Sequence, residues 1–228
     1  MFYSVMQAES LCDSDPSLIF SLIEEGDMEV VEKVISKDNF DFNILDSESN
    51  NVIMYLIKTK NYDLALKYID KVDVNHQNND GNTVMHMLAS CNYLSVRKIV
   101  EKVLNDRKIL LNLRNNLGET ILDKSIKNNY LYTTMKILEN EKFNSIDVYS
   151  FKNLYETYIK SDKYGSYSKL NNFEVILETM ENKNLVPKVK KLVYLIKNNK
   201  QVIEDEINIS KTERLDNIFN RVIMEIVN

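Results

Sequence analysis

The stretch Asp80-Gly81-Asn82-Thr83-Val84-Met85-His86-Met87-Leu88-Ala89 decides the fold. Asp80-Gly81 is a strong turn signal, because glycine takes left-handed backbone without steric cost. Thr83 stands where a side-chain oxygen caps the free N–H groups of a new helix. The residues after it carry apolar groups at helical spacing, and Asn92 then stands where a second turn is needed. A further amphipathic run follows from Tyr93. The segment therefore predicts a hairpin, a short helix, a turn and a second helix.

The same plan recurs on either side. Ser17–Val31, Asn51–Ala65 and Thr120–Thr134 each hold a short apolar helix pattern, a turn residue nine positions on, and a second helix. The turn residues Gly26, Lys60, Asn92 and Asn129 are separated by 34, 32 and 37 positions. Two more markers keep the last two intervals: Asn43, Asn75 and Asn112 between units, and the tetrapeptides that begin at Asp46, Asn78 and Asn115 before each first helix. All three markers share the long interval, so the extra residues fall between Asn92 and Asn112. The loop Asn105-Asp106-Arg107-Lys108 is the expected place.

Composition supports helices and narrows the function. The 228 residues include 44% hydrophobic residues but only four Gly and two Pro, too few for a chain built on tight strand turns. Asparagine, which tolerates left-handed backbone, takes over turn duty. The net charge of −5 argues against a phosphate-gripping protein, so no nucleic-acid partner is expected. No apolar run reaches the roughly 18 residues of a membrane span, so no membrane partner is expected. Glu9 interrupts the apolar core that an export signal would need, and a cytoplasmic or nuclear location is expected. Cys12, Cys91, His76 and His86 are too few and too scattered for the usual zinc ligand sets, so neither metal nor cofactor is expected. The four glycines at 26, 81, 118 and 165 form no phosphate-cradling loop.

The repeat length, with a turn followed by two helices, resembles that of ankyrin repeats. Asp80 to Ala89 is similar to the family's turn-plus-Thr-x-Leu-His pattern, and Gly26-Asp-Met-Glu-Val-Val31 and Val72-Asp-Val-Asn75 resemble its later segments. No unit keeps the family's Pro after Thr, and the fourth tetrapeptide position is Phe20, Met54, His86 and Asp123 in turn. The resemblance implies an all-α ankyrin-repeat solenoid of about four recognisable units over 17–149. Residues 1–16 would cap one end, and 150–228 would form degenerate helical repeats or the other cap. Ile146–Tyr149 marks the start of a fifth, worn unit, and helices are expected near 151–161, 170–182, 187–199 and 211–227. Unit two, with Ser49 and Lys60 where glycine is wanted, is expected to be the least regular.

The resemblance also implies a binding surface made of the first helices and the hairpin tips. On the matching positions these are Ser21, Glu24, Glu25, Tyr55, Lys58, Thr59, Met87, Ser90, Cys91, Lys124, Lys127 and Asn128. The tips are Ser47-Glu48, Asn78-Asn79 and Asn115-Asn116-Leu117. Tyr55, Met87 and Leu117 would be exposed anchors. Charge would run from Glu24 and Glu25 to Lys124 and Lys127 and set the register of an elongated partner. Met87 and Leu117 equally suit packing against neighbouring units. His86 is read as a hydrogen-bonded tie within the repeats, and His76 as a surface residue. Glu24, Glu25, Asp27 and Glu29 are read as solvated helix-end acids rather than catalysts.

Three functions are weighed. The first is a non-catalytic protein-interaction module. Its degenerate, Asn/Lys/Ile-rich repeats resemble those of large nucleocytoplasmic DNA viruses, which implies a host-modulating protein that blocks a host factor of the NF-κB type. The second is a substrate adaptor for a host ubiquitin ligase, because Leu185–Leu192 resembles the start of an F-box. The third is an enzyme using Cys91 or the acidic cluster, which lacks a nearby base. Pro187–Lys191 resembles a nuclear import signal, while the Lys183–Lys200 run also suits the wet face of a helix.

Overall fold

A computed structural model of the chain describes residues 4–91, 93–144, 146, 148–155, 157 and 167–185. They are helical, with turns and a single isolated bridge between Leu45 and Asn51. The chain divides into two compact units, Met1–Ile121 and Leu122–Asn228.

In the first unit, α1 (Val5–Ser14) opens on a reciprocal cap between Ser4 and Gln7 and buries Ala8 and Cys12. It packs on α2 (Leu18–Glu25) and α3 (Met28–Ile35), so the segment expected to cap the stack is itself a helix. Then come α4 (Val52–Lys58), α5 (Tyr62–Tyr68), a 3-10 turn at Ile69–Lys71, α6 (Val84–Leu88) and α7 (Leu94–Leu104). The inner helices α2, α4 and α6 pack in sequence, and α5 packs on α7 behind them. Ile19, Ile23, Ile53, Met54, Leu56 and Ile57 fill the seam with almost no exposure. No single unit could bury so wide an apolar face alone.

Each hairpin is built by one side chain. The carboxylate Oδ1 of Asp46 accepts from the backbone N–H of Glu48 at 2.8 Å and of Asn50 at 2.7 Å. Asn78 does the same for Asp80 and Asn82, at 3.1 and 2.9 Å, and Asn115 for Leu117 and Glu119, at 3.0 and 2.9 Å. The amide nitrogens then reach back one hairpin: Asn78 Nδ2 donates to Asn50 at 2.8 Å, and Asn115 Nδ2 to Asn82 at 3.1 Å. An aspartate can close its own turn but has no N–H to reach back with. It stands at Asp46, the first of these three hairpins. The backbone continues the ladder, with Asn79 N–H donating to Glu48 O and Asn116 N–H to Asp80 O, both at 2.9 Å.

Apart from Asn184, left-handed backbone falls on the repeat markers. At the hairpins φ is 61° for Ser49, 73° for Gly81 and 75° for Gly118; at the interhelix turns it is 84° for Gly26, 66° for Lys60 and 56° for Asn129. Asn92 lies outside the described residues. Unit two thus carries both of its strained turns on residues with a Cβ. Its core nevertheless closes fully, and Asn51 caps α4 by accepting from Met54 N–H at 3.0 Å.

The inserted residues sit later than expected. Asp41, Asp73 and Asp106 each accept from the N–H two residues on, at 2.9, 3.0 and 2.7 Å. Asp106 is therefore the structural match of Asp73, and most of the extra length lies between it and Asn115. Asn75 pins this longer loop by accepting from Leu110 N–H at 2.8 Å and donating to Lys108 O at 2.9 Å.

The second unit holds the rest of α8 (Ile121–Lys127), α9 (Leu131–Glu139), α10 (Val148–Tyr155) and α11 (Tyr167–Asn182). Asn153 on α10 donates to the buried Asp123 on α8 at 3.4 Å, and α11 packs on α9. Helices α10 and α11 therefore meet α8 and α9 as another helix pair would. Lys183 caps the carbonyl end of α9, donating to Leu138 O at 2.6 Å and Asn140 O at 2.7 Å. The helices expected at 187–199 and 211–227, the Pro187–Lys191 motif and the F-box-like segment beyond Leu185 lie outside the described residues.

Candidate functional site: the inner-helix groove

An open groove of about 370 Å³ runs between α2, α4 and the hairpin at 46–49. It brings together Glu24, Tyr55 and Lys58, which the sequence singled out as partner-binding, with Phe20, Leu45, Asp46 and the tip residues Ser47 and Glu48. Helical spacing puts Phe20 and Glu24 on one face of α2, and Tyr55 and Lys58 one turn apart on α4.

Tyr55 is buried rather than exposed, at 7%. Its ring meets that of Phe20 at 4.9 Å between centroids, and its hydroxyl donates to Glu24 Oε1. Burial, seconded by the Glu24 hydrogen bond, pushes the phenol up to about 12. Lys58 Nζ lies 5.6 Å from the Tyr55 ring centre and 2.6 Å from Glu48 Oε2. That hydrogen bond, with the lysine charge, holds the Glu48 carboxyl below its ordinary range. The groove thus has an aromatic floor and a charged rim carrying three carboxylates and one ammonium.

The other expected binding residues are distributed differently. Glu25 and Ser90 are exposed, while Thr59, Met87 and Cys91 are half-buried on the ends of the inner helices. Asn78, Asn79 and Asn116 are not free contact groups. Asn79 Nδ2 donates to Ser47 O at 3.2 Å and Asn116 Nδ2 to Asn79 O at 2.7 Å, so these amides join hairpins to each other. Leu117 is 77% exposed at its tip. Lys124, Lys127 and Asn128 lie on or just after α8 in the second unit.

Phe20 and Leu45 were not chosen from the sequence. Leu45, 44% exposed, had a readable signal: its register partners are the polar Gln77 and Arg114.

His86 is the buried tie expected of it, whereas His76, expected at the surface, is half-buried. His86 is fully buried, with Nδ1 3.2 Å from Thr83 N and Nε2 3.1 Å from Glu119 O. His76 is half-buried, with Nε2 2.8 Å from Ser49 O. Asp27 caps α3 through Val30 N–H at 3.2 Å, and Glu29 pairs with Lys33 at 2.9 Å. Burial pushes the Cys12 thiol up, which disfavours a reactive thiolate. Cys91 Sγ lies 3.4 Å from Met87 O. Among the described residues no group of three or more His, Cys, Asp or Glu is placed to hold a metal, and no helix is long and apolar enough to cross a membrane.

The stacked helix pairs and their hairpins define an all-α ankyrin-repeat fold. Over 92 residues, 39% of its length, the chain is 30% identical to a protein of Acanthamoeba polyphaga mimivirus described as an ankyrin repeat protein. The matched region spans 12% of that relative. No protein-family model matches the chain, and no solved structure matches it.

Proposed function

We propose that the chain is a non-catalytic protein-interaction module whose partner docks in the groove over Tyr55 and along the neighbouring hairpin tips. The observation that carries this reading is the groove itself. It presents the exposed Leu45 and a rim of opposed charges, Glu24, Glu48 and Lys58, over a floor made rigid by the packed rings of Phe20 and Tyr55. Such a combination gives an interface an anchor and an orientation. The buried polar groups of the repeats, His86 and the hairpin amides, are occupied by structural hydrogen bonds rather than poised for chemistry.

The viral relative supports a finer reading: a viral protein that occupies a host protein, with a factor of the NF-κB type as the first candidate. Because Tyr55 is part of the packing, its replacement by Asp would damage the fold. Reversal of the exposed charges, Glu24→Lys with Lys58→Glu, is the cleaner test. Capture from host lysate by the tagged chain should recover a specific protein that the double variant loses while its melting temperature holds. Equal recovery by both chains would remove the groove from the interface. Absence of the NF-κB-type factor, or recovery of a ubiquitin-ligase linker protein in its place, would refute the finer reading.

A further inference from the structure

The hairpin ladder has an open end. Asn116 N–H donates to Asp80 O, and Asn79 N–H donates to Glu48 O. By the register of the repeats, the next donor in the series is Ser47 N–H. In the first unit α1 runs almost directly into α2 through Asp15–Ser17, so among the described residues no hairpin precedes the one at 46–49. Ser47 N–H makes no hydrogen bond within the described residues. It borders the groove that also holds Glu24, Glu48 and the Phe20–Tyr55 ring pair.

An unpaired ladder edge beside a groove is the geometry by which an extended peptide adds itself to a fold. The lining selects the side chain such a peptide should bring. Glu24, Asp46 and Glu48 outnumber Lys58, so the groove is net anionic. Asp46 is consumed by its own turn, and Glu48 by Lys58 and Asn50. Glu24 spends one oxygen on Tyr55 and keeps Oε2 without a partner among the described residues. A cation at the groove mouth, above the buried Phe20–Tyr55 pair, that donates to Glu24 Oε2 fits this charge, and the several N–H donors of a guanidinium can meet more than one side of the groove at once, which favours arginine over lysine.

Resting on the interaction reading above, we infer that the groove receives an extended partner segment in place of the missing hairpin. One of its backbone carbonyls takes the Ser47 N–H, and its arginine pairs with Glu24 at the mouth of the groove.

Amide NMR of the full chain, titrated with blocked pentapeptides of sequence Thr-Val-Arg-Val-Thr, tests this. The control peptide carries norleucine at the centre. The arginine peptide should shift the Ser47 amide as well as its neighbours on α2, and the norleucine peptide should bind at least about threefold more weakly. Glu24→Gln should weaken the arginine peptide by roughly three- to tenfold. Ser47 occupies the second position of a turn closed by Ser49 N–H to Asp46 O at 3.0 Å, where proline is favoured. Ser47→Pro should therefore fold but lose the peptide, while Ser47→Ala keeps it. Equal binding of both peptides, full binding by Ser47→Pro, or shifts near Glu24 that leave Ser47 unmoved would overturn the inference. If lysate capture depends on the groove charges but the peptide fails, the interaction reading stands and this assignment falls.

Discussion

Gly81→Ala should cost far more than the same change at Gly118 or Gly26, and the difference measures how tightly consecutive hairpins stack. All three glycines have positive φ, so each alanine pays about 1 kcal/mol or more for left-handed backbone, offset by roughly 0.4–1 kcal/mol from stiffening the unfolded chain. Only at Gly81 does the new methyl meet its neighbours. It would sit 2.7 Å from Asn116 Oδ1, 2.8 Å from Asn116 N and 3.0 Å from Asn115 Cα. The last two are backbone atoms, so the next hairpin must move away. That movement strains the Asn116 N–H to Asp80 O bond, 2.9 Å long, and its loss costs about 0.5–1.5 kcal/mol. With the strain of relieving the overlap, Gly81→Ala should lose about 2–3 kcal/mol, against less than about 1 kcal/mol at Gly118, where nothing lies within 4 Å. Urea unfolding followed by far-UV circular dichroism gives both values at matched slopes. If the two variants agree within about 0.5 kcal/mol, the hairpins are not packed as described.

Other outcomes follow from the same geometry. Lys60→Gly removes a Cβ from a turn at φ 66° and should raise the melting temperature by about 1–2 °C. Ser49→Gly should gain nothing, because it also deletes the 2.6 Å hydrogen bond from Ser49 Oγ to Asn79 Oδ1; calorimetry on both variants separates the cases. Replacing His86 by Leu strands Thr83 N–H in a fully buried place and leaves Glu119 O with the Asn115 N–H at 3.0 Å, and should cost about 1–3 kcal/mol by denaturant titration. Tyr55 ionises at about 12 in the fold against 10 for a free phenol. Folding therefore favours its neutral form, and the stability this contributes is complete below pH 10 and lost as pH rises through about 12. A pH series of unfolding midpoints should fall less steeply across that window in Tyr55→Phe, and identical slopes would refute the assignment.

The repeat plan was legible because its markers are physical necessities. A turn needs a residue that tolerates positive φ, and a helix start needs an oxygen, so Gly26, Gly81 and Thr83 declare themselves, while Lys60 is found only by its register with them. The place of the insertion was misread for an instructive reason. Counting asparagines aligns Asn75 with Asn112, but the recurring element is the acid that closes the loop, and it aligns Asp73 with Asp106. The hairpin amides hid their role in the same way. A polar residue at a tip reads as a contact group until the neighbouring hairpin is seen to need its N–H. The sequence reads Tyr55 as an exposed anchor, and the structure buries it, because nothing local to an inner-helix tyrosine signals burial. It is the pairing with Phe20 and Glu24, 35 and 31 positions away, that decides.

The interaction account is tested most directly by placing a photo-cross-linking residue at position 45, on the rim of the groove, and separately at position 94, where Leu94 is 76% exposed on α7. The account predicts a partner adduct from position 45 that disappears in the Glu24→Lys, Lys58→Glu background. It predicts none from position 94. An adduct from position 94 with none from position 45 would contradict it.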